Sequence, residues 1–275
     1  MIDENQLSGR GIVLRDRCAF RFTGPDRVRY LNGQISTDVS KDLELRAVAA
    51  CVCTIKGKVE ALVWVSSDGE SLILDGELSH REALHERLDR YLIADDCEIQ
   101  DVTETLQLHH HFIPELGTVS SKRTPFHGFD RWVAKEEHVP DTDCDLPETL
   151  FALAQMQALI PRQGVEITAN EFPAELGLDK WAVDFHKGCY LGQEIVSRIE
   201  SVGRVKKRLR LLQSQEYLPA DTKIRNSLGE SGKISGQMLL DKENNYYSLG
   251  VFSTKGGRSE TLENQPLRFD LLDEP

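Results

Sequence analysis

The densest run of chemistry-bearing residues lies at 186–198, His-Lys-Gly-Cys-Tyr-Leu-Gly-Gln-Glu-Ile-Val-Ser-Arg. It sets Cys189 between Gly188 and Gly192, with the basic His186 and Lys187 just before the thiol and the polar pair Gln193 and Glu194 just after it. A thiol acts as nucleophile or soft-metal ligand only as thiolate, and adjacent positive charge or a helix N-terminus draws its pKa from ~8.5 toward ~7. The glycines permit a turn closed to other residues and let a ligand approach the main chain. Ile195, Val196 and Ile199 recur at helical spacing, which predicts a helix over 191–199 whose first turn lies beside the thiol. The plainer reading makes Cys189 a small buried hydrophobe and the glycines ordinary loop material.

Lys187-Gly188-Cys189-Tyr190 followed by Gly192-Gln193-Glu194 resembles the signature of the YgfZ family, folate-binding relatives of the glycine cleavage T-protein that support iron–sulfur protein maturation. The resemblance extends to Phe172-Pro173-Ala174-Glu175 with Leu178, and to 203–208. Near the N-terminus it includes Thr23-Gly24-Pro25-Asp26-Arg27, Leu31-Asn32-Gly33-Gln34 and Thr37-Asp38-Val39, and it is weakest over 105–145. It implies an α+β fold, a T-protein-like ring of two α/β lobes around a central cavity (1–203) followed by a small C-terminal β-barrel (204–275). It implies tetrahydrofolate or a folate derivative as cofactor, and iron–sulfur assembly proteins or cluster-containing client enzymes as partners. An indirect effect on tRNA modification would follow through such clients. Cys189 is then the reactive or cluster-contacting thiol, and Lys187 with Arg198 biases it toward thiolate or holds the folate's glutamate tail. Gln193 and Glu194 order the loop, while Tyr190, Asn32 and Gln34 help wall the folate site. Asn32-Gly33-Gln34 also reads as an ordinary helix C-cap.

Two positions depart from the T-protein pattern. Where T-proteins carry a catalytic aspartate after a glycine turn, this chain offers Glu60-Ala61-Leu62, which disfavours aminomethyl transfer but leaves a T-protein-type aminomethyltransferase as the alternative function. If the chain turns over a substrate, the resemblance implies one-carbon or aminomethyl transfer with tetrahydrofolate. Where T-proteins place a pterin-binding glutamate, Gln157 precedes Ala158-Leu159-Ile160-Pro161. An amide keeps one acceptor oxygen where a carboxylate has two, so weaker folate affinity is expected, unless Gln157 merely satisfies backbone groups. Phe151 on the same helix matches an aromatic position near the folate, and also reads as a core aromatic.

The elements that must carry these residues are legible in outline. Residues 12–22 read as two short strands across Arg15-Asp16-Arg17, and a helix capped by Asp26 runs to about Gly33. Alternation predicts strands at 48–55, 57–65 and 72–75, with Cys51 and Cys53 on one packed face. Ser79 and Glu82 form a capping-box pattern for a helix to 92, with Leu84, Leu88, Tyr91 and Leu92 on its apolar face and His80 and His85 solvated. A strand pair is expected at 97–102 and 106–113. In it only His109 and His111 share a face; without a third acid or thiol they make a poor site, so no metal is expected. The segment 114–145 reads as irregular around a strand at Trp132-Val133-Ala134, and a buried helix follows from Pro147 to about Leu159. Strands near 209, at 233–240, 246–252 and 267–272 suit the small barrel. The basic run 205–211 reads as a solvated strand face in preference to an RNA contact.

With 275 residues, 40% of them hydrophobic, the chain can bury a substantial core. A formal net charge of −12 disfavours broad binding to nucleic acid or anionic membranes. Six cysteines without a C-x-x-C pair point to free thiols in a reducing compartment. The acidic, polar start Met1-Ile2-Asp3-Glu4-Asn5-Gln6 lacks the apolar run of a secretory signal, and the cytoplasm is the expected location.

Overall fold

The computed structural model describes residues 2–41, 43–137, 144–226, 229–254, 260–262 and 270–272. The body opens with β1 (Gly11–Leu14), β2 (Arg17–Thr23) and α1 (Arg27–Gln34), followed by β3 (Val48–Cys53), β4 (Val59–Ser67), β5 (Leu72–Glu77) and α2 (Arg81–Asp89). It continues through β6 (Glu98–Asp101), β7 (Leu106–His111), β8 (Val119–Ser121), β9 (Gly128–Ala134), α3 (Glu148–Gln157) and α4 (Gln193–Val202). The C-terminal strands are β10 (Lys207–Ser214), β11 (Lys223–Asn226), β12 (Gly229–Ile234), β13 (Leu239–Leu240), β14 (Tyr246–Ser253), β15 (Glu260–Leu262) and β16 (Asp270–Leu272).

These form a five-stranded sheet in the order β3-β4-β5-β2-β6 and a four-stranded sheet in the order β1-β7-β9-β8. Period-two alternation puts Phe20, Phe22, Val52, Val63 and Leu74 of the first sheet under Leu31 of α1 and Leu84 and Leu88 of α2. The opposite face, with Cys51, Cys53, Leu62 and Trp64, packs on Ile160, Ile167, Leu178 and Val196. Burial of both faces explains why β3 and β4 read as near-continuous apolar runs. Helix α3 is apolar nearly all round because it lies between β1 and β7 on one side and β10 and β14 on the other, burying Leu150, Phe151, Leu153 and Met156 with Leu108, Leu209 and Leu249.

A buried charge network joins the two body sheets. Arg123, 2% exposed, holds Asp75 of β5 through Nη2 at 2.7 Å and Asp130 of β9 through Nε at 2.8 Å. Arg17 Nε reaches the same Asp75 at 2.7 Å, and His110 Nδ1 lies 2.7 Å from Asp130. Both guanidinium groups lie over the Trp64 ring, at 5.1 and 4.6 Å from its centroid.

Several expectations are corrected. The two strands within 12–22 do not pair with one another, nor do the two within 97–113: β1 pairs β7, whereas β2 pairs β5 and β6, so each short turn is a corner between sheets. Ser79 does not cap α2; the chain enters through a 3-10 turn, Leu78–His80, and no side-chain cap bond forms. Asp26 also makes no cap bond, because its carboxylate accepts from the Asp96 N–H at 2.8 Å instead. The expected closed C-terminal barrel is replaced by a hydrogen-bonded path open at both ends, β15-β11-β12-β14-β10-β16 with β13 on β14; among the described residues β15 bonds only β11, and β16 only β10.

Candidate functional site

The Cys189 loop is built on the C-terminal end of α1. Carbonyls at a helix end lack intrahelical partners and carry partial negative charge. The Lys187 ammonium answers this by donating to the carbonyls of Asn32 at 2.8 Å, Ile35 at 2.8 Å and Thr37 at 3.0 Å. Burial lowers Lys187 to about 8, against the raising effect of Asp38 and Asp184. The Leu191 N–H adds a bond to the Gly33 carbonyl at 3.2 Å, and the Asp184 N–H one to Ser36 at 2.8 Å. Asn32 completes the clamp: its side-chain oxygen accepts from the Val39 N–H at 2.9 Å and its amide donates to Asp38 at 3.3 Å.

The glycine that follows the thiol is obligatory. Gly192 adopts φ +86°, and a Cβ there would lie 2.4 Å from the Thr54 carbonyl oxygen and 3.2 Å from Gly57 Cα. Gly57, at the tip of the β3–β4 hairpin with φ +70°, meets Ile195 and the Gly192 carbonyl in return. Two backbones thus touch directly, and α4 starts from that contact with Gly192 as its N-cap. Cys189 projects from this braced loop and is exposed.

Two cavities share Trp64 and Ile160 as a common wall. The inner one, about 310 Å³, is bounded by Arg17, Arg123, Arg162, Glu77 and one stripe of α3: Glu148, Phe151, Ala152 and Gln155. The outer one, about 910 Å³, carries Lys41, Arg46, Lys122, His127 and Lys180 with Trp181, against the carboxylates Asp38 and Asp184. Aromatic walls with a few convergent polar groups are the usual makings of a small-molecule site, and the outer basic groups suit an anionic extension. Cys189 lines neither cavity, but Thr37, Asp38 and Asp184 on the outer rim belong to the segments that its loop grips.

The candidate residues separate accordingly. Phe151 faces the inner cavity, whereas Gln157, two residues past Gln155, lies round the helix: its oxygen accepts the Ile2 N–H at 3.2 Å, beside Leu211 and Tyr247. Gln34 is buried and accepts from Arg87 at 3.0 Å. Arg87 also holds Glu60 at 3.0 Å, so the carboxylate offered in place of the T-protein aspartate is ion-paired and lines neither cavity. Glu194 and Arg198 pair with each other at 2.7 Å on the exposed face of α4, with side chains 84% and 64% exposed, instead of ordering the loop. Gln193 donates its main-chain N–H to the Tyr190 carbonyl at 3.2 Å. Tyr190 is buried beneath the loop, its hydroxyl without a hydrogen-bond partner.

No protein-family model matches the chain. The tRNA-modifying protein YgfZ of Pectobacterium carotovorum is 24% identical, with 98% of this chain and 94% of that protein aligned. An iron-sulfur cluster assembly factor IBA57 homolog, mitochondrial, from Pyricularia oryzae is 27% identical over 72% of this chain and 55% of its own length. The chain is a homologue of the YgfZ and IBA57 proteins. It spans about half the length of that IBA57 relative and nearly all of the YgfZ one. The crystal structure of glycine cleavage system aminomethyltransferase T from Bartonella henselae superposes with a TM-score of 0.79 at 11% identity, covering 97% of this chain and 86% of that one, which shows a T-protein-like fold.

The YgfZ-like motif led to the loop but not to the cavity wall. Glu148 and Gln155 do not stand out in the sequence because α3 is apolar nearly all round, so hydrophobic periodicity marks no preferred face. The i, i+3, i+4, i+7 spacing of Glu148, Phe151, Ala152 and Gln155 was the available signal. The outer basic residues come from three separate segments, and no local pattern joins them.

Proposed function

We propose that the chain binds tetrahydrofolate or a folate derivative across the two cavities and supports iron–sulfur cluster assembly or repair through Cys189. The observation that carries this reading is the pair of cavities sharing Trp64 and Ile160, the inner one combining aromatic and amide side chains with arginines and carboxylates, the outer one rich in lysines at its periphery. A pterin in the inner cavity would stack near Phe151 and hydrogen-bond Gln155 and Glu148, while a glutamate tail would meet Lys41, Lys122 and Lys180. The T-protein-like fold and relatives named for iron–sulfur cluster assembly and for tRNA modification support the same reading. Partners would be assembly proteins or client enzymes that meet the exposed thiol, with tRNA modification affected through such clients.

Lys187 acts here by holding the loop at the cavity rim. The exposed sulfur would contact a cluster or a one-carbon unit transiently, since stable cluster ligation uses four cysteinates. The alternative, aminomethyl transfer, is disfavoured by the Glu60–Arg87 ion pair, which occupies the one carboxylate near the T-protein position. The compartment in this reading is the cytoplasm, in keeping with six free cysteines; no helix among the described residues is long and apolar enough to cross a membrane.

Titration with tetrahydrofolate tests the reading. Gln155→Ala should weaken binding about fivefold, the worth of one hydrogen bond of about 1 kcal/mol, and Gln157→Ala should leave it unchanged. Cys189→Ser should bind folate like wild type yet fail to restore cluster-enzyme activity in cells lacking the protein. Absence of saturable folate binding by the wild-type chain would sink the proposal, and full complementation by Cys189→Ser would remove the thiol from it.

A further inference from the structure

On the face of β7 turned away from Asp130, two imidazoles and a thiol converge. His109 and His111 stand on alternate positions of the strand, each 3% exposed, with ring centroids 6.1 Å apart. Cys144 arrives from the segment before α3, and its Sγ lies 3.6 Å from His109 Nδ1. Two contacts fix that arrival: the Leu146 N–H bonds the Gly11 carbonyl of β1 at 2.9 Å, and Arg10 pairs with Asp145 at 3.1 Å. One ligand atom from each of the three residues falls within 4.8 Å of the others. The tertiary structure therefore supplies the third ligand that the strand pattern alone withheld.

We infer that His109, His111 and Cys144 form a binding site for a zinc-class divalent cation. A thiolate sulfur at ~2.3 Å and an imidazole nitrogen at ~2.0 Å from a tetrahedral zinc lie about 3.5 Å apart, which is the separation of Cys144 Sγ and His109 Nδ1. Thiolate with imidazole is the donor set that suits zinc over magnesium or calcium. The surroundings prepare the ligands. Gln107 Nε2 lies 2.9 Å from His109 Nε2; exchanging the positions of the amide nitrogen and oxygen lets His109 Nε2–H donate to Gln107 Oε1 and frees the Nδ1 lone pair toward Cys144 when the metal binds. Glu115 approaches His111 Nδ1 at 3.5 Å and orients the second ring. On binding, the Cys144 thiol loses its proton to solvent and its sulfur takes up the metal; Glu115 offsets part of the remaining charge. Three protein ligands leave a fourth position for water or an incoming ligand.

The test uses the full-length, untagged chain and Co²⁺ as an optical probe for Zn²⁺. Wild type should bind one equivalent with a thiolate-to-cobalt charge-transfer band that Zn²⁺ abolishes. Cys144→Ser should lose the band and at least tenfold in affinity, Gln107→Ala should lose about tenfold, and Cys189→Ser should behave as wild type. As a check needing no variant, Zn²⁺ should slow alkylation of Cys144, read by peptide mapping, without slowing that of Cys189. The inference is overturned if wild type shows no stoichiometric band, if the band survives Cys144→Ser, or if it disappears with Cys189→Ser. Folate binding is independent of every one of these outcomes.

Discussion

Gly192 carries more constraint than the sulfur it follows. Its φ of +86° excludes most side chains at little gain to them, and the Thr54 carbonyl 2.4 Å from the Cβ position leaves an added methyl no room. Gly192→Ala should therefore destabilise the chain by about 1–3 kcal/mol, the usual cost of forcing a non-glycine residue into such backbone, and more if the hairpin must retreat. Urea unfolding should show a lower midpoint at unchanged slope. Gly188, by contrast, has open space around its Cβ position, and Gly188→Ala should be nearly neutral in the same assay. The string was legible as a site because it mixed a thiol, a cation and turn-forming residues, but nothing in it distinguished the glycine that must be glycine from the one that need not.

At the scale of elements, the C-terminus of α1 and the Cys189 loop are one construction held by Lys187. Lys187→Met keeps the alkyl length and removes the donors, leaving the carbonyls of Asn32, Ile35 and Thr37 without their ammonium. We expect a loss of about 1–3 kcal/mol in chemical unfolding, with faster hydrogen exchange at Leu191, whose N–H bonds Gly33. Strands were readable where alternation met burial, as in β3, where Cys51 and Cys53 share one buried face. Faces are not readable where an element is enclosed: the T-protein resemblance points to Gln157, before Ala158-Leu159-Ile160-Pro161, whereas tertiary packing puts Gln155 in the cavity wall. Corners between sheets looked like hairpins because a short polar turn serves both. Cys144 could not be joined to His109 from sequence, since only the paths of β1 and β7 bring them together.

For the whole molecule, the network of Arg17, Asp75, Arg123, Asp130 and His110 ties the five-stranded sheet to the four-stranded one beneath the cavity wall. Burial alone would push Asp130 up, but the Arg123 guanidinium and His110 hold it at about 2, below the ordinary 3.8. A carboxylate whose folded pKa is depressed contributes stability in full above its unfolded pKa and loses it as pH falls through the folded value. Wild type should thus lose about 2 kcal/mol between about pH 4 and pH 2 from this one group. Asp130→Asn should start about 3–5 kcal/mol less stable at neutral pH, because Arg123 keeps its buried charge with one partner fewer, and should lack that share of the acid limb. Parallel acid-unfolding curves for the two proteins check both parts; equal slopes would assign the acid sensitivity to another carboxylate.

The contact of Gly57 with Gly192 has a mechanical outcome. With no side chain interposed, the hairpin tip abuts the turn that carries the sulfur, so lengthening the tip by one residue would displace that turn. A docking protein that pressed on the tip would be steering the thiol without ever touching it.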